Sequence, residues 1–496
     1  MKKVKAPPGA KRLIESLRNL GYECSTAVAD LVDNSIAAQA SEVYIDIYGQ
    51  HGSQPPHIVI ADDGHGMERE ALHEAMRFGA FQEYSADDLG KYGLGLKTAS
   101  LSQARILTVA SKAKARKNKK PRRALMRWDL DYVYRTDDWD LLAPTDDELP
   151  HWEQEALANP LAKEHGTVVL WSSLDEVLPL LGSDDVRARE RFLARLIEEV
   201  GEHLRMVFHR FMEGSITGRK KLNIFVCGQQ LKPWDPFCRD QKTRELDILR
   251  QTVAGRGRAG EEMSGNVTIS PFILPREDEF STPQRWKDAA GPRNWNQQQG
   301  FYFYRNNRLL QAGGWSYLRA VDEHTKLLRV AVHFTGELDR SFSLNVTKMR
   351  ARIPAEIREA VSSAVSKWAK AARERYDRHP VGSRSAPRNV GATKDPPKKA
   401  ESPPNINIGK LSLSISNAPT QSLAVVASKA GGVRIMIPQN HELAVLFDGH
   451  GSGAPERDFK RLFVAALTVL EAVHERRIKP DAIPMTSFKR ALQRAL

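Results

Sequence analysis

The stretch that decides the fold is His57-Ile-Val-Ile-Ala-Asp-Asp-Gly-His-Gly-Met67. Its first half is a β-branched apolar run and predicts a strand ending at Asp62. An acidic residue at a strand end can accept a hydrogen bond from a buried amino group, such as the exocyclic amine of adenine. Gly64 and Gly66 permit positive φ and close approach of the backbone to a flat ligand. A Gly-rich turn with an aspartate at its start is the plain alternative, and this stretch alone does not separate the two.

Upstream, Ala27-Val-Ala-Asp30-Leu-Val-Asp-Asn34-Ser-Ile-Ala37-Ala38 lies in a predicted helix, 23–40, after a first helix at 11–20. Val28, Leu31, Val32 and Ile36 form its apolar face, and Asp30 and Asn34 stand one turn apart on another. A carboxylate there can orient or deprotonate water. The Asn34 oxygen suits Mg2+, which keeps its waters and takes few protein ligands. A solvated polar face is the bland reading.

Downstream, Gly90-Lys-Tyr-Gly93-Leu-Gly95-Leu96-Lys97-Thr-Ala-Ser100 places three glycines before a predicted helix start. Such a start attracts phosphate oxygens, and Lys97 adds a cation. The spacing is not that of a P-loop or a dinucleotide fingerprint. The surrounding segment, Gly79–Leu96, has four glycines in eighteen residues and predicts a long loop.

In their order and spacing the three motifs resemble the GHKL superfamily: the DNA gyrase B subunit, the ninety-kilodalton heat-shock chaperone, histidine kinases, MutL and MORC proteins. The first family motif, E-x-x-x-N, is matched by Asp30 and Asn34. The second, D-x-G-x-G, is matched by Asp62, Gly64 and Gly66, and the third by Gly90, Gly93 and Gly95. A Gly-Thr pair before a strand is matched by Gly166 and Thr167, and the resemblance implies that Thr167 lies beside Asp62. It also implies ATP and Mg2+ as cofactors, with Met67, Leu96, Lys97 and Thr167 among the nucleotide contacts and Asn34 as the metal ligand. Asp30 then acts as general base. Lys348, in Phe342-Ser-Leu-Asn-Val-Thr-Lys-Met-Arg350, becomes the lysine that a second, transducer domain sends to the γ-phosphate. Tyr304-Arg-Asn-Asn-Arg-Leu-Leu310 resembles the transducer hairpin of MutL and MORC proteins. Its Asn306-Asn307 pair suits a tight turn.

Two departures stand out. Asp30 is one methylene shorter than the usual glutamate, and Ala37 replaces an aspartate common three residues after the asparagine. Misplacing a reacting group by ~1 Å can cost ~100-fold in rate, so turnover is slow unless the helix shifts to compensate.

The fold class implied is α+β: a GHKL (Bergerat) sandwich of mixed sheet with helices on one face, then a transducer-like α/β domain and a small C-terminal α+β unit. Further strands are predicted at 43–48, 106–110, 124–128 and 167–171, with a helix at 68–78. The expected domains are 1–185, 186–378, a linker at 379–404 with six prolines, and 405–496. The second should begin with an apolar-striped helix at 187–211. Strands at 222–226, 267–273, 300–304 and 328–334 and a helix at 354–376 complete it, with 239–262 as a polar insertion. In the third, strands are expected near 406–415, 433–437 and 443–447 and a helix at 459–473. The Asp448-Gly-His450 segment reads as a loop, and no nuclease metal cluster is visible.

The net charge is +13, and eight of the cations crowd into Lys112–Arg123. That arm is either a phosphate-seeking element for DNA or a solvated loop. Three dispersed cysteines make no disulfide framework or metal pattern, and no run of eighteen apolar residues occurs, so a cytoplasmic protein without a membrane span is expected. The resemblance implies a homodimer on ATP binding, working as a nucleotide-gated clamp on DNA in repair, restriction–modification or phage defence. The rivals are a chaperone-like ATPase that remodels protein partners and a weakly hydrolysing ATP-binding scaffold. The C-terminal unit is a candidate docking site for a protein partner.

Overall fold

The computed structural model describes residues 8–19, 22–50, 54–79, 95–115, 122–158, 164–175, 185–256, 262–344 and 351–377. It also describes four strands within 405–438. Gly90, Gly93, Lys348, the middle of the basic arm, the expected linker, and the elements expected at 443–447 and 459–473 lie outside the described residues. The chain forms two units, Met1–Ser383 and Arg384–Leu496.

The first unit begins with α1 (Ala10–Arg18), α2 (Cys24–Ala37), β1 (Glu42–Tyr48), β2 (His57–Asp62), α3 (Arg69–Met76) and α4 (Gly95–Leu101). It continues through β3 (Ile106–Lys112), β4 (Ala124–Asp129), α5 (Leu130–Thr136), α6 (His151–Leu157), β5 (Gly166–Ser172) and α7 (Val186–Val207). Then come α8 (His209–Glu213), β6 (Asn223–Val226) and β7 (Gln229–Gln230). One seven-stranded mixed sheet runs β4-β3-β5-β2-β1-β6-β7.

The central strands are buried on both faces, which explains their unbroken apolar runs. Along β2, Ile58 and Ile60 join the main core, while Val59 and Ala61 face a smaller one. The main core is filled by α1, α2, α4 and α7 around Trp128 and Trp171. The smaller one is closed by Leu149, Trp152 and Leu157. Helix α6 therefore covers a second face, where helices on a single face were expected. Its seven residues carry too few apolar positions for a clear period.

Helix α2 has no side-chain cap at its start, and ten of its residues are buried. Packing rather than capping holds it. The Asp185 carboxylate accepts from the amides of Arg187 and Ala188 and starts α7. The expected single helix 187–211 breaks at Phe208, and Gly214 in the left-handed region ends α8. The strand expected at 222–226 in the second domain instead pairs in parallel with β1, Val43 opposite Ile224. A short apolar strand does not encode which sheet edge it will extend.

A second sheet follows, from β8 (Arg244–Glu245), β9 (Leu249–Arg256), β10 (Glu262–Ile273), β11 (Gly300–Arg305), β12 (Arg308–Ala312) and β13 (Leu328–Phe334). Its order is β12-β11-β13-β10-β8, with β9 also on β10. Helices α9 (Pro283–Ala289), α10 (Trp295–Gln298) and α11 (Ala355–Asp377) accompany it. The segment 239–262, expected to be an insertion, supplies β8 and β9. Asn306 and Asn307 both have positive φ, 47° and 70°, as a tight hairpin turn between β11 and β12 requires.

In the second unit, β14 (Asn405–Ile408), β15 (Leu411–Ser416), β16 (Ala424–Ala427) and β17 (Val433–Pro438) form a sheet in the order β14-β15-β17-β16. The pair β15–β17 is parallel and the others antiparallel. The expected alternation from 406 to 415 divides into two strands, β14 and β15. The architecture of the chain is α+β, with mixed sheets and helices packed on them.

Candidate functional site

Asp62 ends β2 with its carboxylate buried. Gly64 N–H donates to its Oδ1 at 2.9 Å, and the Ser35 hydroxyl lies 3.0 Å from Oδ2. Burial pushes the carboxyl up to about 6, against these two hydrogen bonds and despite nearby His65. An ionised carboxylate offers about four acceptor positions, so two bonds leave it able to accept from a further donor.

Asp62 faces Thr167 across the β2–β5 ladder. The Thr167 and Ser111 hydroxyls are 2.9 Å apart, and Ser111 also receives the Met67 N–H. Residues 62–67 are thus tied to β5 and, beyond it, to β3. The glycines explain how. A Cβ on Gly66, at φ 63°, would lie 1.9 Å from the Lys112 carbonyl oxygen. One on Gly166, at φ 134°, would lie 2.1 Å from the Asp62 carbonyl oxygen. Gly64 is also confined, with a Cβ there 2.7 Å from that of Ala38.

The neighbouring Asp63 has a different task. It accepts from Ser41 N, Glu42 N and the Ser41 hydroxyl, closing the corner between α2 and β1. His65 N–H donates to the Ala38 carbonyl, so the end of α2 is fastened to the same turn.

Helix α2 packs against α4 and β2. Asn34 is exposed, and Asp30 is buried one turn earlier. Tyr22 donates to Asp30 Oδ2 at 3.2 Å, and its hydroxyl also interacts with Thr98 of α4. Burial and the Asp30 charge push the Tyr22 hydroxyl well above its ordinary range. Ser35 therefore joins the first motif to the second, and Tyr22 joins it to the described end of the third.

Gly95 starts α4, and Leu96 packs against the main core. Lys97 is 2% exposed, and its Nζ donates to the Ala75 carbonyl at 2.8 Å. Burial lowers its ammonium to about 8, partly countered by Glu74. The Ala75 contact ties α4 to α3.

Sequence reasoning missed Asp33 and Arg308. Arg308 begins β12, and its Nε donates to Asp33 Oδ1 at 2.8 Å; its Nη2 lies 3.3 Å from Asp30 Oδ1. Arg308 stands in the hairpin singled out from the sequence, but the pairing spans 275 residues. A second grouping, His209, Glu213 and Asp235, also escaped notice. Arg239 bonds both carboxylates, and His209 bonds Glu213 and the Tyr304 hydroxyl, so this is an internally paired network.

Among the described residues no helix is long and apolar enough to cross a membrane. Residues 22–167 match the family described as histidine kinase-, DNA gyrase B-, and HSP90-like ATPase. ATPase morc-1 of Caenorhabditis elegans is 36% identical over 87 residues, which is 18% of this chain and 10% of that protein. The chain thus matches only about a tenth of that relative's length. A solved structure of the N-terminal domain of a DNA repair protein superposes with a TM-score of 0.39 at 14% identity, over 73% of this chain and 97% of that one. Residues 22–167 are thus similar to the GHKL ATPases, and a MORC protein is among the relatives that the chain matches in part.

Proposed function

We propose that the chain binds Mg-ATP between α2, the turn 62–67 and α4, and hydrolyses it with Asp30 as the general base. The observation that carries this reading is the Asp62 carboxylate: buried, held by Ser35 and Gly64, and set against Thr167 on a backbone that only glycine permits at positions 66 and 166. That arrangement fits an adenine amine, with backbone drawn close enough to exclude water. Met67 and Leu96 supply apolar contact, and exposed Asn34 holds Mg2+. The bound ion supplies charge neutralisation at the phosphates. Gly90, Gly93 and Lys348 keep the phosphate roles that the family resemblance implies.

We assign the energy of hydrolysis to a dimeric clamp that closes on DNA in the cytoplasm. The basic arm supports this reading. It leaves the sheet at Lys112, whose carbonyl packs against Gly66, so the arm is rooted at the candidate base-reading turn. Lys114 N–H also donates to the His65 carbonyl.

The test is calorimetry with ATP, with and without Mg2+, alongside turnover for wild type, Asp30→Ala and Asp62→Ala, with and without duplex DNA. Asp62→Ala should lose binding, and Asp30→Ala should bind but not turn over. Stimulation by DNA supports the clamp. Stimulation by a protein alone assigns the remodelling role instead. No uptake of nucleotide by wild type refutes the whole reading.

A further inference from the structure

Asp30 and Asp33 lie three residues apart on α2, 5% and 2% exposed. Two carboxylates so placed repel one another unless a cation enters. The cation is Arg308, itself 5% exposed, and it comes from the second sheet. Its Nε takes Asp33 Oδ1 at 2.8 Å and its Nη2 approaches Asp30 Oδ1 at 3.3 Å. The Phe208 ring lies 5.8 Å from the guanidinium.

The hairpin that delivers Arg308 is itself pinned. Arg305, paired with Arg308 across the turn, donates to Asp339 at 2.7 Å. The Tyr304 hydroxyl meets His209 Nε2 at 2.8 Å, and Asn307 accepts from Arg210. The guanidinium is therefore presented from a fixed backbone. Among the described residues Arg308 serves both acids: Asp33 takes the shorter contact, while Asp30 is held on one oxygen by Arg308 and on the other by Tyr22.

We propose that Arg308 is a positioning residue for hydrolysis, fixing the Asp30 carboxylate so that the second sheet governs whether the base is aligned. The inference rests on reading Asp30 as the base. It also gives the short Asp30 side chain a support that its length alone does not provide. A planar, always-charged fork suits this task, and a lysine would not reproduce it.

Other titratable groups on the elements around α2 bear on any pH readout. They are Tyr22, Asp62 of β2, which bonds Ser35 of α2 and is raised to about 6, His203 and Glu199 of α7, and Lys97 of α4. Burial, then Arg308, hold His203 down at about 4, so it stays neutral near pH 7. Glu199 acts on Cys24, and Lys97 faces Ala75 and Glu74.

The test uses the full chain and the variants Arg308→Gln, Arg308→Lys and Asp30→Asn. Three quantities are measured: kcat for ATP, the Kd of a non-hydrolysable ATP analogue, and the titration of Asp30 in nucleotide-free protein. The last is followed by the 13C carboxyl signal, assigned by its loss in Asp30→Asn. Arg308→Gln should lower kcat by ~10-fold or more while leaving the analogue's Kd within about threefold. Its Asp30 midpoint should rise by ~1 pH unit or more. Arg308→Lys should restore most of the midpoint but not the rate.

A wild-type kcat and an unmoved midpoint in Arg308→Gln overturn the inference, as does a Kd that weakens in step with kcat. If Asp30→Asn turns over like wild type, the base reading fails first and the inference falls with it. If Arg308→Gln does not fold, Arg308→Gln combined with Asp33→Asn removes one acid together with the cation. The same loss of kcat is then expected.

Discussion

Asp62→Asn should make the nucleotide-free protein more stable while removing its affinity for nucleotide. Folding buries this carboxyl and raises it from an ordinary 3.8 to about 6. At ~1.4 kcal/mol for each pH unit, that rise costs the folded state ~3 kcal/mol when the group is ionised. The folded value lies above the unfolded one, so the cost is absent below about pH 4, grows through pH 4–6 and is complete above it. Asparagine has the same shape. Its oxygen can accept the Gly64 N–H, and its amide can donate to the Ser35 hydroxyl, whose proton then turns to the Leu31 carbonyl 3.3 Å away. The side chain therefore stays paired, but it presents a donor where an adenine amine needs an acceptor. Part of the ~3 kcal/mol will be offset by imperfect refitting and by residual structure in the unfolded chain. A gain of ~1–3 kcal/mol, or roughly 2–6 °C in Tm, is expected at pH 7.5 and should vanish near pH 4. Thermal melts at both pH values, with calorimetric titration of an ATP analogue, provide the measurement. A variant that is less stable at pH 7.5, or that binds nucleotide as tightly as wild type, refutes the assignment of Asp62.

Asp63→Ala is the matched control. It removes three hydrogen bonds at the α2–β1 corner, so Tm should fall by an amount reflecting ~1–3 kcal/mol while analogue affinity holds; a larger fall in affinity than Asp62→Asn produces would reverse the roles of the two aspartates. Gly66→Ala should lower Tm sharply and abolish binding, since a Cβ at φ 63° sits 1.9 Å from a carbonyl oxygen, and the left-handed strain alone is ~1–2 kcal/mol. Wild-type melting in that variant would mean the turn is not packed as described. Lys97→Met should flatten the pH dependence of stability. The buried ammonium is held at about 8, below its unfolded value, so its cost is full below pH 8 and fades as pH rises toward 10.5. Denaturant melts at pH 7.5 and 9.5 should therefore show a smaller rise in the variant than in wild type. For the basic arm, removing cations should reduce the slope of log affinity against log salt by ~0.9 for each DNA phosphate that is no longer neutralised. Arg123 should contribute little, because it already pairs with Asp146 and the Leu157 carbonyl; a slope unchanged by removing the rest excludes the arm from DNA binding.

What the sequence made legible was what neighbouring residues decide. The run from His57 to Asp62 is apolar on both faces and forms a strand with those limits. The paired asparagines produce the turn that their tolerance of positive φ allows. Partner choice at long range was not legible. Strand β6 extends the first sheet because Ile224 and Val226 reach the main core, and its four residues look the same whichever sheet receives them. Strands β8 and β9 lie at sheet margins, where polar residues are tolerated and the apolar signal fades. The sharpest case is α2. Asp30 and Asn34 stand out in the sequence as a functional face, while nothing local marks Asp33. Yet Asp30 and Asp33 share a helix face, and both are buried. Burial of two acids demands a cation, which the sequence supplies in 74 lysines and arginines. Only the docking of one hairpin against α2 selects Arg308. A substitution that shifts that hairpin, such as Asp339→Ala, which removes a carboxylate that Arg305 bonds, should therefore act on Asp30 without touching it. Its signature is a fall in turnover with analogue affinity preserved, and an unchanged kcat would show that the hairpin's anchorage does not reach the site.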